Sequence, residues 1–226
     1  MANSNLKGFE KQFGVTPPFS MDLASCSEIK ENKHLVETLQ SYDIFEEKDV
    51  VYKQQVILAC LTTLVNNWSE NVGLLKDERS NYVRVIPFGS YRLGVNNKGS
   101  DIDALCLAPF YVSREDFFST LPSELKKHPG IKYVHPIENC YVPLLKIDCD
   151  GIKIDLLFVK LSIGAIRDSL DITSDMVLHG LDNKDMRSLS GVRNTEEILN
   201  LVPNVTNFQL ALRAVKLWAT SKYRHC

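Results

Sequence analysis

The chain has 226 residues, 44% apolar and 24% charged, enough for one large globular domain with a core of ordinary size. Its net charge of −2 excludes a global basic field, so any nucleic-acid contact must come from a local patch. Six cysteines form neither a C-x-x-C pair nor a zinc-spaced cluster and read as reduced, intracellular thiols; the N-terminus lacks a signal-peptide pattern, and no run is long enough to span a membrane.

Residues before about Glu31 read as irregular, with the prolines of "GVTPPFSM" carrying a surface arm. Helices are predicted over Glu31–Leu39 and Glu46–Val72. In the second, Val50, Val51, Ile57, Leu58, Leu61, Leu64, Val65 and Trp68 recur at three- and four-residue spacing, the stripe of a core-facing helix. The period then shortens. "YVRVIPFGS" reads as a strand ending at Pro87, followed by a short helix in "YRLGV", and "SDIDALCLAP" as a strand bounded by Gly99 and Pro109. "REDFFSTLPSELKK" reads as one helix, N-capped by Ser113 with acids in its first turn. "KYVHPI" and "VPLLKIDCDGIKIDLLFV" are strands, the latter split by a hairpin at Asp150-Gly151. "NTEEILNLV" and "VTNFQLALRAVKLWATSK" close the chain as helices, in a locally basic stretch carrying Lys184, Arg187, Arg193, Arg213, Lys216, Lys222 and Arg224. Helices, then strands, then helices indicate an α+β sheet domain with a helical appendage.

Three carboxylates carry the chemistry. On a strand Asp101 and Asp103 share one face while Ile102 and Ala104 take the other. Two carboxylates so close repel unless a cation neutralises them, and a divalent ion with oxygen ligands does so. A bare D-x-D is more often a solvated strand face. Asp155 changes the balance: in "GIKIDLLFV" it shares a face with Leu157 and Val159, opposite Ile152, Ile154, Leu156 and Phe158. A lone charge there is costly to bury without a partner. If its strand neighbours the D-I-D strand, three carboxylates can hold two Mg²⁺ ions roughly 3.5–4 Å apart, the arrangement of phosphoryl and nucleotidyl transfer. Gly89-Ser90, eleven residues ahead of Asp101, follows a strand and opens a short helix, a place where backbone N–H groups and the Ser90 hydroxyl suit a phosphate.

At these residues the sequence resembles the eukaryotic nuclear poly(A) polymerases of the DNA-polymerase-β-like nucleotidyltransferase superfamily. The matching segments are "FGSYRLGVNNKGSDIDALCLAP", "REDFF", "GIKIDLLFVKL", "GVRNTEEILNLVPN", "FQLALRAVKLWA" and the early "FGVTPPFS", spanning about Phe13 to Ala219. The resemblance implies an α+β nucleotidyltransferase fold with a mixed β-sheet flanked by helices, plus a partial helical central domain, and transfer of AMP from ATP to an RNA 3′ end. Asp101, Asp103 and Asp155 become the catalytic ligands of two Mg²⁺ or Mn²⁺ ions; Phe88, Gly89, Ser90 and Asn97 become the ATP-contacting segment, and Lys216 a phosphate-contacting lysine. It also implies a nuclear, membrane-free monomer recruited by cleavage and polyadenylation factors.

Two positions depart from the family. Ser190 stands where an asparagine is usual, and His225 where a nucleotide-contacting tyrosine is usual. The family continues into a Gly-Gly-Val segment, the rest of a helical central domain and an RNA-binding domain. The expected division is therefore an N-terminal arm (1–30), a nucleotidyltransferase domain with its leading helices (31–180) and the start of a central domain (181–226), with low processive activity because one wall of the ATP cleft is incomplete. Alternatives on the same residues are a related nucleotidyltransferase with another base preference, a metal-dependent glycosyltransferase, and a catalytically weak paralogue acting as a binding module.

Overall fold

The structure, a computed structural model, describes residues 20, 22–78 and 83–223; most of the early "FGVTPPFS" match, and His225, lie outside the described residues. Helices α1 (Cys26–Ser41) and α2 (Lys48–Leu75) lead into β1 (Arg84–Phe88), the one-turn α3 (Gly89–Arg92) and β2 (Ile102–Ala108). Short helices α4 (Arg114–Ser119) and α5 (Leu121–Leu125) precede β3 (Ile131–Ile137), β4 (Leu144–Cys149) and β5 (Ile152–Lys160). A 3₁₀ turn (Asp175–Leu178) and helices α6 (Asn183–Leu201) and α7 (Val205–Tyr223) follow.

The strands form one mixed sheet in the order β1-β2-β5-β4-β3. Only β2 and β5 run parallel within it; the other neighbours are antiparallel. Both faces are covered over much of their area, which is why β2 and β5 read as nearly continuous apolar runs. On one face Ile102, Ala104, Cys106, Ile154, Leu156 and Phe158 pack against α2, α4 and α5 through Ile57, Leu61, Val65, Trp68, Phe117 and Leu121. Trp68, Phe117 and Phe158 are fully buried, each worth about 2–3 kcal/mol of apolar transfer. On the other face Leu105, Leu107, Leu157 and Val159 pack against Leu189 and Val192 of α6 and the segment bearing Ile166, Ile172 and Val177. The two-face assignment of Ile154, Leu156 and Phe158 against Leu157 and Val159 matches the sequence pattern.

Four local expectations change. Helix α1 begins five residues early, because Ser25 and Glu28 form a capping box in which Ser25 accepts from the Glu28 N–H and Glu28 accepts from the Ser25 N–H. The single helix over "REDFFSTLPSELKK" is two, broken at Thr120, because Pro122 has no N–H and its ring crowds the carbonyl four residues back. Helix α6 starts at Asn183 rather than Asn194, capped by Asp182, whose side chain accepts from the Asp185 N–H at 2.7 Å. Asp101 lies in the turn before β2, not on the strand, so alternation alone does not aim it alongside Asp103. Five cysteines (Cys26, Cys60, Cys106, Cys140, Cys149) are free thiols. No described helix is long and apolar enough to cross a membrane.

Candidate active site

The parallel pairing of β2 with β5 places Asp103 directly beside Asp155 in register. Strand β1 puts Phe88 opposite Asp103 on the other side. The chain then turns sharply: Gly89 has φ +62°, a left-handed conformation that favours glycine, and a Cβ built there would lie 2.7 Å from Asp103 Oδ2. Glycine is thus required twice over, by backbone conformation and by the carboxylate against it. The Gly89 N–H is not left for a phosphate. It donates to Thr195 Oγ1 of α6 at 3.0 Å, and Thr195 in turn donates to the Gly191 carbonyl at 2.8 Å. Phe88 is buried, its ring so close to Gly191 that a Cβ there would meet it at 2.5 Å. Of the expected ATP-contacting segment, Phe88 and the Gly89 N–H are therefore engaged with α6 in this structure.

Asp103 is half-buried, and its carboxyl is pushed above the ordinary range by burial first, then by Asp155 and Asp101, with Lys146 opposing. Lys146 on β4 stands opposite Asp155 and donates to both its oxygens, at 3.2 and 3.1 Å. Its ammonium is held above the usual lysine range, chiefly by that hydrogen-bonded contact with Asp155. The sequence reading missed Lys146; in "LLKIDC" the polar alternation at 146 and 148 marks a wet face but does not say which neighbour it meets.

The turn joining this loop to Asp101 is gripped by α7. Gln209 donates to the Leu93 carbonyl at 2.9 Å, and Arg213 to the Gly94 and Asn96 carbonyls at 2.7 and 3.0 Å. Lys216 donates to the Val95 carbonyl at 2.8 Å, and its pKa is lowered by burial and by Arg213. Lys216 therefore reaches the loop that precedes the carboxylates, held on backbone oxygen. Asn97 is half-buried and its carbonyl accepts from the Ser100 N–H at 3.0 Å, shaping the turn into Asp101. The Ser90 carbonyl accepts from the Val95 N–H at 2.9 Å. Ser190 is exposed on α6, its hydroxyl bonded back to the Met186 carbonyl at 2.8 Å.

Adjacent carboxylates with hard oxygen donors, one of them raised by burial and then by its acidic neighbours, fit a divalent cation. Among the described residues, however, no three His, Cys, Asp or Glu side chains are gathered tightly enough to hold a metal as they stand. Asp155 is instead paired with Lys146, whose ammonium contacts both its oxygens. A cleft along β1, lined by Asn66, Arg92 and Glu196 among others, includes none of the three carboxylates.

A family model described as the poly(A) polymerase nucleotidyltransferase domain matches residues 14–202. A poly(A) polymerase from Dictyostelium discoideum is 40% identical over 212 residues, covering 91% of this chain and 26% of that protein. Nuclear poly(A) polymerases 1 and 4 of Arabidopsis thaliana are 34% and 36% identical, covering 92% and 94% of this chain and 30% and 29% of theirs. This chain thus spans between a quarter and a third of the length of these relatives.

Proposed function

This chain belongs to the poly(A) polymerase nucleotidyltransferase domain family, and we propose that it transfers AMP from ATP to the 3′ end of RNA. The observation that carries the reading is the register of Asp103 with Asp155 on adjacent parallel strands, with Gly89 closing against Asp103. Asp101, Asp103 and Asp155 would hold two Mg²⁺ or Mn²⁺ ions, which supply a lowered pKa for the 3′-hydroxyl and neutralise the triphosphate and departing pyrophosphate.

The remaining roles fall to the chain's own side chains. Lys146 donates to both oxygens of Asp155 and holds that carboxylate in place beside Asp103. Thr195 fixes the Gly89 turn so that Asp103 is not displaced. Ser90, Asn97 and Lys216 line the loop beside the carboxylates and are the groups left to meet ATP; Lys216 must exchange the Val95 carbonyl for a phosphate oxygen. The names of the Arabidopsis relatives support a nuclear setting, and recruitment by cleavage factors and a monomeric state accompany the same reading.

The test is extension of an oligo(A) primer by the purified chain with each of the four nucleoside triphosphates and Mn²⁺. Even single additions suffice. ATP-dependent addition abolished by Asp155→Ala is expected; equal use of all four nucleotides, or addition that survives Asp155→Ala, contradicts the reading.

A further inference from the structure

The carboxylates stand at one end of a cross-strand row. His135 of β3 pairs with Lys146 of β4, Lys146 with Asp155 of β5, and Asp155 with Asp103 of β2. All four share the sheet face opposite the core of Ile147, Ile154 and Leu145, because side chains alternate. A β-bulge between Ile131 and Tyr133 sets Tyr133 on the same face, opposite Asp148. The Tyr133 and His135 rings stack, centroids 6.0 Å apart and planes 14° from parallel. Both are exposed, Tyr133 at 48%, although α6 covers the apolar half of this face through Leu157 and Val159. Lys132 and Lys153 are exposed on the same strands, and Lys146 is partly so.

Aromatic rings beside lysines, continuous with a nucleotidyl-transfer site, are the components of a sequence-tolerant platform for single-stranded nucleic acid: each base has a face to stack, and the lysines meet the phosphates. At about 4.8 Å per strand, His135 lies roughly 14 Å from Asp103. We infer that Tyr133 and His135 stack an upstream base of the RNA strand whose 3′ end reaches Asp103. The inference rests on the adenylyl-transfer reading and names where its RNA substrate lies. An apolar or basic partner surface does not suit strands carrying Lys132, Lys146 and Lys153.

Fluorescence anisotropy of 5′-labelled oligo(A) on the full chain, without ATP or divalent metal, measures this directly. Tyr133→Ala and His135→Ala should each weaken RNA binding roughly tenfold, and Tyr133→Trp should preserve it. Calorimetric binding of ATP with Mn²⁺ should be unchanged in all three, and their melting temperatures should match the parent because both rings are exposed. Unchanged RNA affinity in the Tyr133→Ala/His135→Ala double variant overturns the platform, as does a loss that falls on ATP rather than RNA. The underlying reading fails separately, when ATP–Mn²⁺ binding is insensitive to Asp103→Asn.

Discussion

Gly89 carries the sharpest single-residue demand in the site. A methyl group there meets the Asp103 carboxylate and forces a side chain into a left-handed backbone. Gly89→Ala should cost about 1–2 kcal/mol of stability and displace Asp103. A melting temperature lowered by several degrees together with weakened Mn²⁺ affinity is the expected pair of results; a stable variant with unchanged affinity contradicts the close packing. At this scale the sequence was most legible where a charge interrupts an apolar strand, as at Asp103 and Asp155. It was silent where a residue acts through the backbone, as when Thr195 receives the Gly89 N–H, because nothing in "GVRNTEEIL" marks a threonine as reaching a strand end more than a hundred residues earlier in the chain.

Two elements tie the helices to the sheet. Arg114 of α4 bonds Asp185 of α6 and lies over the Phe158 ring at 5.5 Å from its centroid. Burial is the main cause raising the Asp185 carboxyl to about 6, with Arg114 opposing. Its folded pKa is above the unfolded value, so the stability it contributes is fully present below about pH 4 and is lost as pH rises through about 6. Asp185→Asn should remove that slope, so that the wild type loses about 1–2 kcal/mol relative to the variant between pH 4 and 7. Denaturant unfolding at both pH values checks it, and a difference independent of pH contradicts it. Helix α7, by contrast, is fastened through side chains on loop carbonyls, and it has no fully buried residue among those whose side chains are described. Arg213→Ala should release it locally: faster amide exchange over 205–221 with the free energy of global unfolding changed by about 1–2 kcal/mol or less. Global unfolding at the same rate as α7 exchange would show instead that α7 belongs to the cooperative core. The termini of such elements were hard to read because caps decide them: Ser25–Glu28 and Asp182 start helices ahead of the periodic apolar residues, and the Ser and Gly of "RSLSGV" hide the first half of α6.

Across the whole molecule, the Asp150-Gly151 hairpin makes β4 and β5 neighbours, and that was readable from two residues. The parallel contact of β2 with β5 was not, since it depends on a crossover of some forty residues and on the helices that cover both faces. Yet that one contact converts two scattered aspartates into a site, places β5 away from the sheet edge, and aligns Lys146 and His135 in the same row. Adenylyl transfer at this site requires those carboxylates to bind metal together with nucleotide. Electron paramagnetic titration of Mn²⁺ into the chain with a non-hydrolysable ATP analogue measures this most directly. Two bound ions for the wild type, reduced in number or affinity in Asp103→Asn and Asp155→Asn, is the predicted result; Mn²⁺ binding that is the same in all three proteins would contradict it.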